Sequence, residues 1–182
     1  MLEIALHILD IIQNSIHAES TEIELQIIED PKNNLFAFSV KDNGKGMTEE
    51  FVKQLKNPFH TTRTTRKVGL GIPLLVDACQ QSKGDVEIKS TIGKGTFLKA
   101  WMNYNHIDRA PLGDMPSTIV SILLSLKDQC FVYIHRYANR EFSLDTRELK
   151  EILGEVSLQD AVVLQWLRNY VEENLTEIRQ RS

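Results

Sequence analysis

Two polar residues four positions apart in the N-terminal segment could share one chemical site. Asp10 and Asn14 lie in the stretch LDIIQNSIHAES, within a run from Leu2 to Ala18 whose apolar residues recur at helical spacing. On a helix, side chains four residues apart project toward the same volume. The Asn carbonyl oxygen suits Mg²⁺ carried by a triphosphate, and the Asp carboxylate can orient or deprotonate a water or hydroxyl. A solvated polar helix face is the alternative that the pair alone leaves open.

The segment KDNGKGM offers an acid and two glycines directly after a predicted strand that ends at Val40. There the carboxylate of Asp42 can accept a hydrogen bond from the exocyclic amine of adenine and so reject guanine. Gly44 and Gly46 can adopt positive φ and let the backbone approach the base closely. A plain Asp-Asn-Gly turn is the alternative interpretation of this segment.

A second glycine pair, Gly69 and Gly71 with Leu70 between them, comes directly before a predicted helix. Exposed amides at a helix N-terminus attract anionic phosphate without any side chain. Thr96, at the start of a later strand, could complete an adenine site through its hydroxyl and a bridging water. A glycine-rich connector and an ordinary strand threonine are the alternatives.

The stretch HTTRTTRK brings positive charge to the residues just before this second glycine pair. Its cations are Arg63, Arg66 and Lys67, and no clear periodicity predicts a helix or strand for it. When such a loop closes, its charge would lie over a triphosphate, so we expect an ATP lid here. A solvated basic loop is the alternative.

The elements that must position these residues predict an α+β fold. Apolar and polar residues alternate in several short runs, and helical patterns separate them. The predicted strands cover 23–27, 36–40, 86–89 and 96–102, and the predicted helices begin at Leu2, Thr48 and Leu70. We therefore expect a sandwich with helices on one face of a mainly antiparallel sheet.

Turn residues gather between Asn105 and Pro116 and predict a linker to a second unit. The predicted division is 1–104 for the domain that carries the motifs and 105–182 for a small α+β partner-docking unit. This unit should contain a helix at 117–126, a hairpin at 131–144, a helix ending at Gly154 and a last helix starting at Ser157. The last helix has an apolar stripe that must be buried on the first domain or on another chain: Val163, Leu167, Val171, Leu175 and Ile178.

Composition excludes several classes of protein. The chain has 182 residues and a formal net charge of -4, which disfavours the phosphate attraction that nucleic-acid binding needs. Cys79 and Cys130 lie far apart without CxxC or His-rich company, so neither a disulfide framework nor a zinc site is predicted. We find no membrane-spanning run and no signal peptide, and we expect a cytoplasmic protein.

Taken in order, these motifs resemble the GHKL superfamily of ATPases, which is defined by the Bergerat fold and includes gyrase and the sensor histidine kinases. The resemblance covers about residues 2–102 and implies a Bergerat-type α/β sandwich. By position, Asn14 is similar to the magnesium-binding Asn, and Asp10 stands where many relatives have a Glu general base. The first glycine box is matched by Asp42, Gly44 and Gly46, and the second by Gly69, Leu70 and Gly71. The lid motif is matched by Phe59 with Thr61 and Thr62, and the lid itself by Arg66 and Lys67. The adenine-side threonine is matched by Thr96.

The resemblance implies ATP and Mg²⁺ as ligands and Asp10 as the catalytic residue. The function expected from it is slow ATP hydrolysis or transfer of the γ-phosphate to a protein partner, acting as a regulatory switch. An orphan kinase acting on His or Ser is one rival, and a non-catalytic adenine-nucleotide sensor that regulates a redox enzyme is the alternative. The segments HIDRAPLGDMPST and REFSLDTRELKE resemble stand-alone ATP-binding proteins found beside hydrogenase and NADH-dehydrogenase-like subunits in anaerobic bacteria, which is why a redox enzyme subunit is considered as a partner.

Overall fold

The computed structural model describes residues 3–55 and 71–180, which form one mixed sheet and six helices within those ranges. The helices are Ile4–His17 (α1), Glu49–Leu55 (α2), Gly71–Gln81 (α3), Met115–Ser125 (α4), Thr146–Leu153 (α5) and Ala161–Gln180 (α6). The strands are Glu22–Asp30 (β1), Leu35–Asp42 (β2), Asp85–Thr91 (β3), Gly95–Asn103 (β4), Cys130–Tyr137 (β5) and Arg140–Asp145 (β6). No helix in this part of the chain is long and apolar enough to cross a bilayer.

The sheet has the strand order β3-β4-β2-β1-β5-β6. Four of its five strand pairs are antiparallel, and only β1 and β5 run parallel. The chain can reach β5 in this direction because a long crossover that includes α4 separates it from the earlier strands. The predicted α+β class with a mainly antiparallel sheet is therefore confirmed.

Strand register places the apolar residues of neighbouring strands on one side of the sheet, which we call the inner face. Leu25 pairs with Val40, Val40 pairs with Leu98, and Leu98 pairs with Ile88. All four side chains are buried in the main core, together with residues of α1, α3 and α4. Because side chains alternate along a strand, the intervening residues form an opposite, outer face that carries most of the charged strand residues.

The last helix packs within its own chain. Leu167 and Val171 of α6 are fully buried, and α6 contacts α4, β5 and β6. The stripe is therefore buried against the same chain, with Leu164 in place of the half-buried Val163.

The predicted start of the last helix at Ser157 is wrong. The helix begins at Ala161, because Asp160 accepts hydrogen bonds from the amides of Val162 at 2.8 Å and Val163 at 3.3 Å and so caps it. The Ser157 hydroxyl instead accepts from the amide of Gln159 and closes a preceding turn.

The predicted division at 104/105 falls between β4 and α4, and strands from its two sides share one sheet. β5 pairs with β1 from Glu22 opposite Cys130 to Glu29 opposite Tyr137. Because the sheet is continuous across this boundary, the division into a motif-bearing domain and a partner-docking unit stays a prediction about function.

Candidate functional site

A cavity of about 320 Å³ lies between α1, the glycine loop after β2 and the inner face of the sheet. Four of the residues singled out by sequence line it: Asn14, Asp42, Gly46 and Thr96. Apolar side chains supply much of the rest of its described wall, among them Ile11, Val40, Met47, Ile72, Ile88 and Leu98. A cavity of this size with a few convergent polar groups is typical of small-molecule sites.

The carboxylate of Asp42 is held in place at this cavity by two hydrogen bonds. Ser15 donates its hydroxyl to Oδ2 at 2.6 Å, and the amide of Gly44 donates to Oδ1 at 2.9 Å. Asp42 is only 8% exposed, so these donors keep a buried acceptor oriented. Each carboxylate oxygen retains capacity for another donor, as reading an exocyclic amine requires.

The two glycines of the first loop are needed for different reasons. Gly46 has φ of 66°, and a Cβ there would collide with the carbonyl of Thr91. Gly44 lacks the positive φ expected from sequence, so that part of the prediction is wrong. Its small size is required because a Cβ would lie 2.7 Å from the carbonyl oxygen of Ala18.

The glycine loop is fixed to its neighbours at both ends. Asn43 accepts from the amides of Thr21 at 2.8 Å and Glu22 at 2.9 Å, which ties the loop to the start of β1. The Lys45 amide donates to the Ala18 carbonyl at 2.9 Å, and the Lys45 carbonyl accepts from the Gly93 amide at 2.7 Å. The loop is thereby held between α1 and the β3–β4 turn.

Thr96 lies directly opposite Asp42 in the β2–β4 pair. Its hydroxyl is 2.8 Å from that of Ser90, and Ser90 also donates to the carbonyl of Gly95 at 3.0 Å. Because the single hydroxyl proton of Ser90 goes to that carbonyl, Thr96 is the donor between the two hydroxyls. Ser90 further accepts from the amide of Met47 at 2.8 Å, so it links Thr96 to the glycine loop.

Asp10 faces the start of α3 and is not among the described residues that line the cavity. A Cβ on Gly71 would collide with the Asp10 carboxylate, so the glycine makes room for it. Asp10 Oδ2 and His7 Nδ1 are buried and have no hydrogen-bond partner within the described ranges. Burial lowers the pKa of His7, partly offset by a hydrogen bond with the Gly71 backbone and by the Asp10 charge, and so favours the neutral imidazole. The glycine at position 71 therefore packs against α1 in this structure.

Seven of the predicted site residues lie outside the described residues: Phe59, Thr61, Thr62, Arg66, Lys67, Gly69 and Leu70. Their predicted roles in the lid and the second glycine box stay predictions.

Sequence reasoning assigned no role to three polar residues of this region. Ser15 and Ser90 act through contacts with residues 27 and 43 positions away in the chain, namely Asp42 and Met47, which no local pattern reveals. His17 lines the cavity one turn after Asn14, and its helical spacing from Asn14 was the available signal.

The described residues offer no group of three or more His, Cys, Asp or Glu side chains that could hold a metal ion by themselves. Asn14 lines the cavity, and its side-chain amide offers one neutral oxygen there. Mg²⁺ in proteins is commonly held by one or two side chains together with substrate phosphates, and this arrangement fits that mode.

The cavity in this α+β fold contains an oriented carboxylate, that of Asp42, and a helix asparagine, Asn14. A nucleotide-binding domain is expected to have this arrangement. The chain belongs to the histidine kinase-, DNA gyrase B- and HSP90-like ATPase family, whose sequence model matches residues 3–106. Membership of this GHKL family implies ATP as the ligand.

Curated relatives include sensor kinases that are much longer than this chain. A sensor protein of Shewanella frigidimarina is 35% identical over 94 residues, covering 50% of this chain and 14% of the relative. Sporulation kinase C of Bacillus subtilis is 38% identical over 61 residues, covering 34% of this chain and 14% of the kinase. The chain therefore matches only a small fraction of the length of these relatives.

Among solved structures, the N-terminal domain of a DNA repair protein is similar, with a TM-score of 0.57 and 11% sequence identity. The match covers 87% of this chain and 59% of that protein. At this identity the likeness concerns the fold alone, which is a Bergerat-type α+β sandwich.

Proposed function

We propose that this protein binds ATP with Mg²⁺ and either hydrolyses it slowly or transfers its γ-phosphate to a protein partner, as a regulatory switch. The observation that carries the proposal is the position of Asp42, oriented by Ser15 and Gly44 in the same cavity as Asn14. An acid held in this way can accept from the adenine 6-amino group, whereas guanine presents a carbonyl oxygen there. Family membership supports the choice of nucleotide.

The proposed metal site depends on the nucleotide. Asn14 would supply one carbonyl oxygen to Mg²⁺, and the phosphates would supply others. Mg²⁺ would neutralise phosphate charge and orient the terminal phosphate. The cations and glycines at 61–71 are proposed to cover the phosphates, on the basis of the family resemblance alone.

Calorimetry with ATP, ADP and GTP, with and without Mg²⁺, tests the nucleotide assignment. We expect Asp42→Ala to weaken ATP binding by at least about tenfold and to remove the preference over GTP, because the site loses its only proposed adenine acceptor. Asn14→Ala should remove the Mg²⁺-dependent part of the affinity. Asp128→Ala changes an exposed acid far from the cavity in sequence and should bind like the wild type. Equal affinity of the wild type for GTP would contradict the assignment.

A second candidate function is a non-catalytic adenine-nucleotide sensor. The position of Asp10 favours it, since the carboxylate packs against Gly71 and does not line the described cavity. A base must come within hydrogen-bond reach of the water or hydroxyl that it activates. In this second reading, ATP binding changes the affinity for a protein partner without turnover.

Incubation with γ-labelled ATP separates these functions. Label on a protein would support phosphate transfer, and free phosphate that disappears in Asp10→Asn would support hydrolysis through this carboxylate. ATP binding without either product would support the sensor. The calorimetric test of nucleotide binding by Asp42 and Asn14 does not depend on which of these three results is found.

A further inference from the structure

The sheet ends at β6, and the outward edge of this strand is unpaired in the part of the chain that the structure describes. Tyr137 and Arg140 close the two-residue hairpin between β5 and β6. Because the direction of hydrogen bonding alternates along an antiparallel strand, the backbone groups of Glu141 and Ser143 point away from β5. Outside the sheet, no described backbone group bonds to either residue. The edge therefore offers amides and carbonyls to a further strand.

An aromatic pair on α6 lies beside this edge. Trp166 stacks on Tyr170 with ring centroids 5.1 Å apart, and Tyr170 packs edge-on against Phe142 of β6 at 5.6 Å. Phe142 is buried, whereas Trp166 is 53% exposed. The pair is thus anchored on the edge strand at one end and open to solvent at the other.

Helix geometry places the aromatic pair on the side of α6 that faces away from α4. Arg168 donates to the Ser117 hydroxyl of α4 at 3.3 Å, which defines the α4 side of the helix. Trp166 precedes Arg168 by two residues and so lies about 200° around the helix from it. The side of α6 with the aromatic pair and the outward edge of β6 therefore form one surface, which we call the β6–α6 flank.

We propose that the β6–α6 flank docks the same flank of a second copy of this chain across a two-fold axis. The two β6 strands would pair antiparallel and join the two six-stranded sheets into one. Trp166 and Tyr170 of both copies would pack together in the helix layer beside the joined strands. A two-fold contact uses the same surface on both partners, so it needs a surface that complements itself.

Two requirements of the flank select this occupant. The backbone edge needs an extended strand, and the aromatic pair needs an apolar surface one layer away from that strand. An isolated extended peptide would satisfy the edge and leave Trp166 exposed, whereas a single docked helix would cover Trp166 and leave the edge unpaired. A second β6–α6 flank presents a strand and an aromatic helix side in the same relative positions.

The charges on α6 favour a two-fold arrangement. Glu173 and Glu177 follow Trp166 by 7 and 11 residues, so they lie on the same side of the helix, toward its C-terminal end. A two-fold axis that makes the β6 strands antiparallel also reverses α6. The acids of the two copies then lie at opposite ends of the interface, whereas parallel helices would bring these like charges together.

The β6 edge also permits a register without charge conflict. When Phe142 lies opposite Phe142 of the second copy, Glu141 lies opposite Ser143, and no two like charges are directly opposite. No proline or bulge interrupts β6, since its pairing with β5 is continuous along its whole length. Two of the common devices that block edge-to-edge association are therefore absent from this strand.

The size of the flank suits a weak dimer. The 20-residue helix α6 is about 30 Å long, and one sheet layer with one helix layer is roughly 20 Å deep. These dimensions give roughly 600 Å² per copy, somewhat below the about 800 Å² per partner of a standard interface. We expect a dissociation constant of roughly 1–100 μM.

The interface would leave the nucleotide cavity open. β6 is three strands away from β2, roughly 14 Å from the strand that ends at Asp42. Dimer formation therefore does not depend on the proposed function. A protein that dimerises and fails to bind ATP would contradict the proposed function alone.

Sedimentation velocity over a range of protein concentrations tests the dimer. We expect Trp166→Glu to weaken association at least about tenfold, because it places a charge in the centre of the interface. Leu124→Glu is the matched control, since Leu124 on α4 is 54% exposed and the change of charge is the same. Circular dichroism checks that both variants are folded.

Ser143→Pro tests the strand pairing separately. It removes an amide hydrogen that points away from β5, so it should block the outward pairing and preserve the hairpin of β5 and β6. We expect this variant to weaken association at least about tenfold as well. Ser143→Thr keeps the amide hydrogen and should dimerise like the wild type.

The emission of Trp166 reports directly on the interface. The chain has two tryptophans, so Trp101→Phe leaves Trp166 as the single fluorescent reporter. Dilution should shift its emission to longer wavelength as the dimer dissociates and the indole enters water.

Four results would overturn the proposal. They are a monomer at every concentration up to about 1 mM, equal association of Trp166→Glu and Leu124→Glu, unchanged association of Ser143→Pro, and an emission of Trp166 that does not respond to dilution.

Discussion

At the scale of single residues, the candidate site depends on hydroxyl groups that orient more conspicuous side chains. Ser15 donates to Asp42 at 2.6 Å, and Ser90 connects Thr96 with Met47. Neither serine belongs to a motif that the sequence reveals. Ser15 satisfies an oxygen of the buried Asp42 carboxylate, and Ser90 bonds to half-buried groups of Thr96 and Met47. The geometry of the proposed purine-reading site therefore depends on residues outside the glycine loop.

Ser15→Ala tests this dependence. Removing the donor leaves Asp42 with one fewer hydrogen bond, so we expect ATP affinity to fall roughly two- to tenfold, as a net hydrogen bond of about 0.5–1.5 kcal/mol predicts. The measurement is calorimetric titration of ATP. Ser121→Ala removes a hydroxyl whose hydrogen bond, among the described residues, goes to the Ser117 carbonyl within α4, and this variant should bind ATP normally. Unchanged affinity in Ser15→Ala would show that Asp42 needs no such support.

At the scale of elements, α6 shows how an apolar stripe finds its partner. The stripe was visible in the sequence, but its partner was not, because nothing local distinguishes burial within the chain from burial against another molecule. The structure packs Leu167 and Val171 against α4 and the β5–β6 hairpin. The predicted start of this helix at Ser157 is about one turn too early, since both Ser157 and Asp160 can cap a helix and only the folded backbone selects Asp160.

Two truncations on α6 measure this packing. Leu167→Ala removes a side chain with no exposure and should lower the free energy of unfolding by about 2–5 kcal/mol. Val162→Ala is its control on the same helix, because Val162 is 78% exposed and the change should stay within about 0.5 kcal/mol. Urea denaturation gives both values. Equal effects would mean that α6 does not pack on the sheet in solution.

At the scale of the whole molecule, a buried polar network ties the last helix to the sheet at the end away from the nucleotide cavity. His135 Nε2 donates to Glu29 at 2.8 Å, and Tyr133 donates to His135 Nδ1 at 2.6 Å. Arg179, near the end of α6, also donates to Glu29. The network therefore joins β1, β5 and α6, which belong to the two sides of the predicted domain boundary.

This network predicts acid sensitivity of the fold. Burial lowers the pKa of His135, and the hydrogen bond and charge of Glu29 offset this only in part. Burial would raise the pKa of Glu29, but the hydrogen bonds and charges of His135 and Arg179 outweigh it and lower the pKa. Both groups bind a proton more readily in the unfolded chain, so their contribution to stability is lost as the pH falls.

The pH range over which this stability is lost follows from the ordinary pKa values of histidine and glutamate. The His135 contribution to stability is complete above pH 6.5 and declines below it, toward the lower pKa of the folded state. The Glu29 contribution declines below pH 4.5.

Urea denaturation between pH 8 and pH 5 should show a falling free energy of unfolding, with a smaller slope against pH in His135→Phe. His106→Gln, outside the network, is the control. If His135→Phe does not fold, the imidazole resonances of the wild type report the pKa directly. A pKa of His135 at or above 6.5 would contradict the prediction.

Much of the fold and part of the site could be predicted because they depend on local spacing. Alternation predicted the strands that contain Val40 and Leu98, and helical periodicity placed Asp10 and Asn14 on α1. The resemblance of the motifs led to the family, and the family match bears this out. The position of the loop at Asp42 also followed from the end of a strand pattern.

Local spacing determined the approximate extent of most helices and strands and which segments are candidates for a nucleotide site, whereas only the folded backbone placed the start of α6 at Ala161. Tertiary structure decided the pairing of β5 with β1, the contact of Ser15 with Asp42 and the orientation of Asp10 toward Gly71. These features join residues that are distant in the chain. They form only when sheet register and core packing bring separate elements together, so no short pattern of residue types contains them.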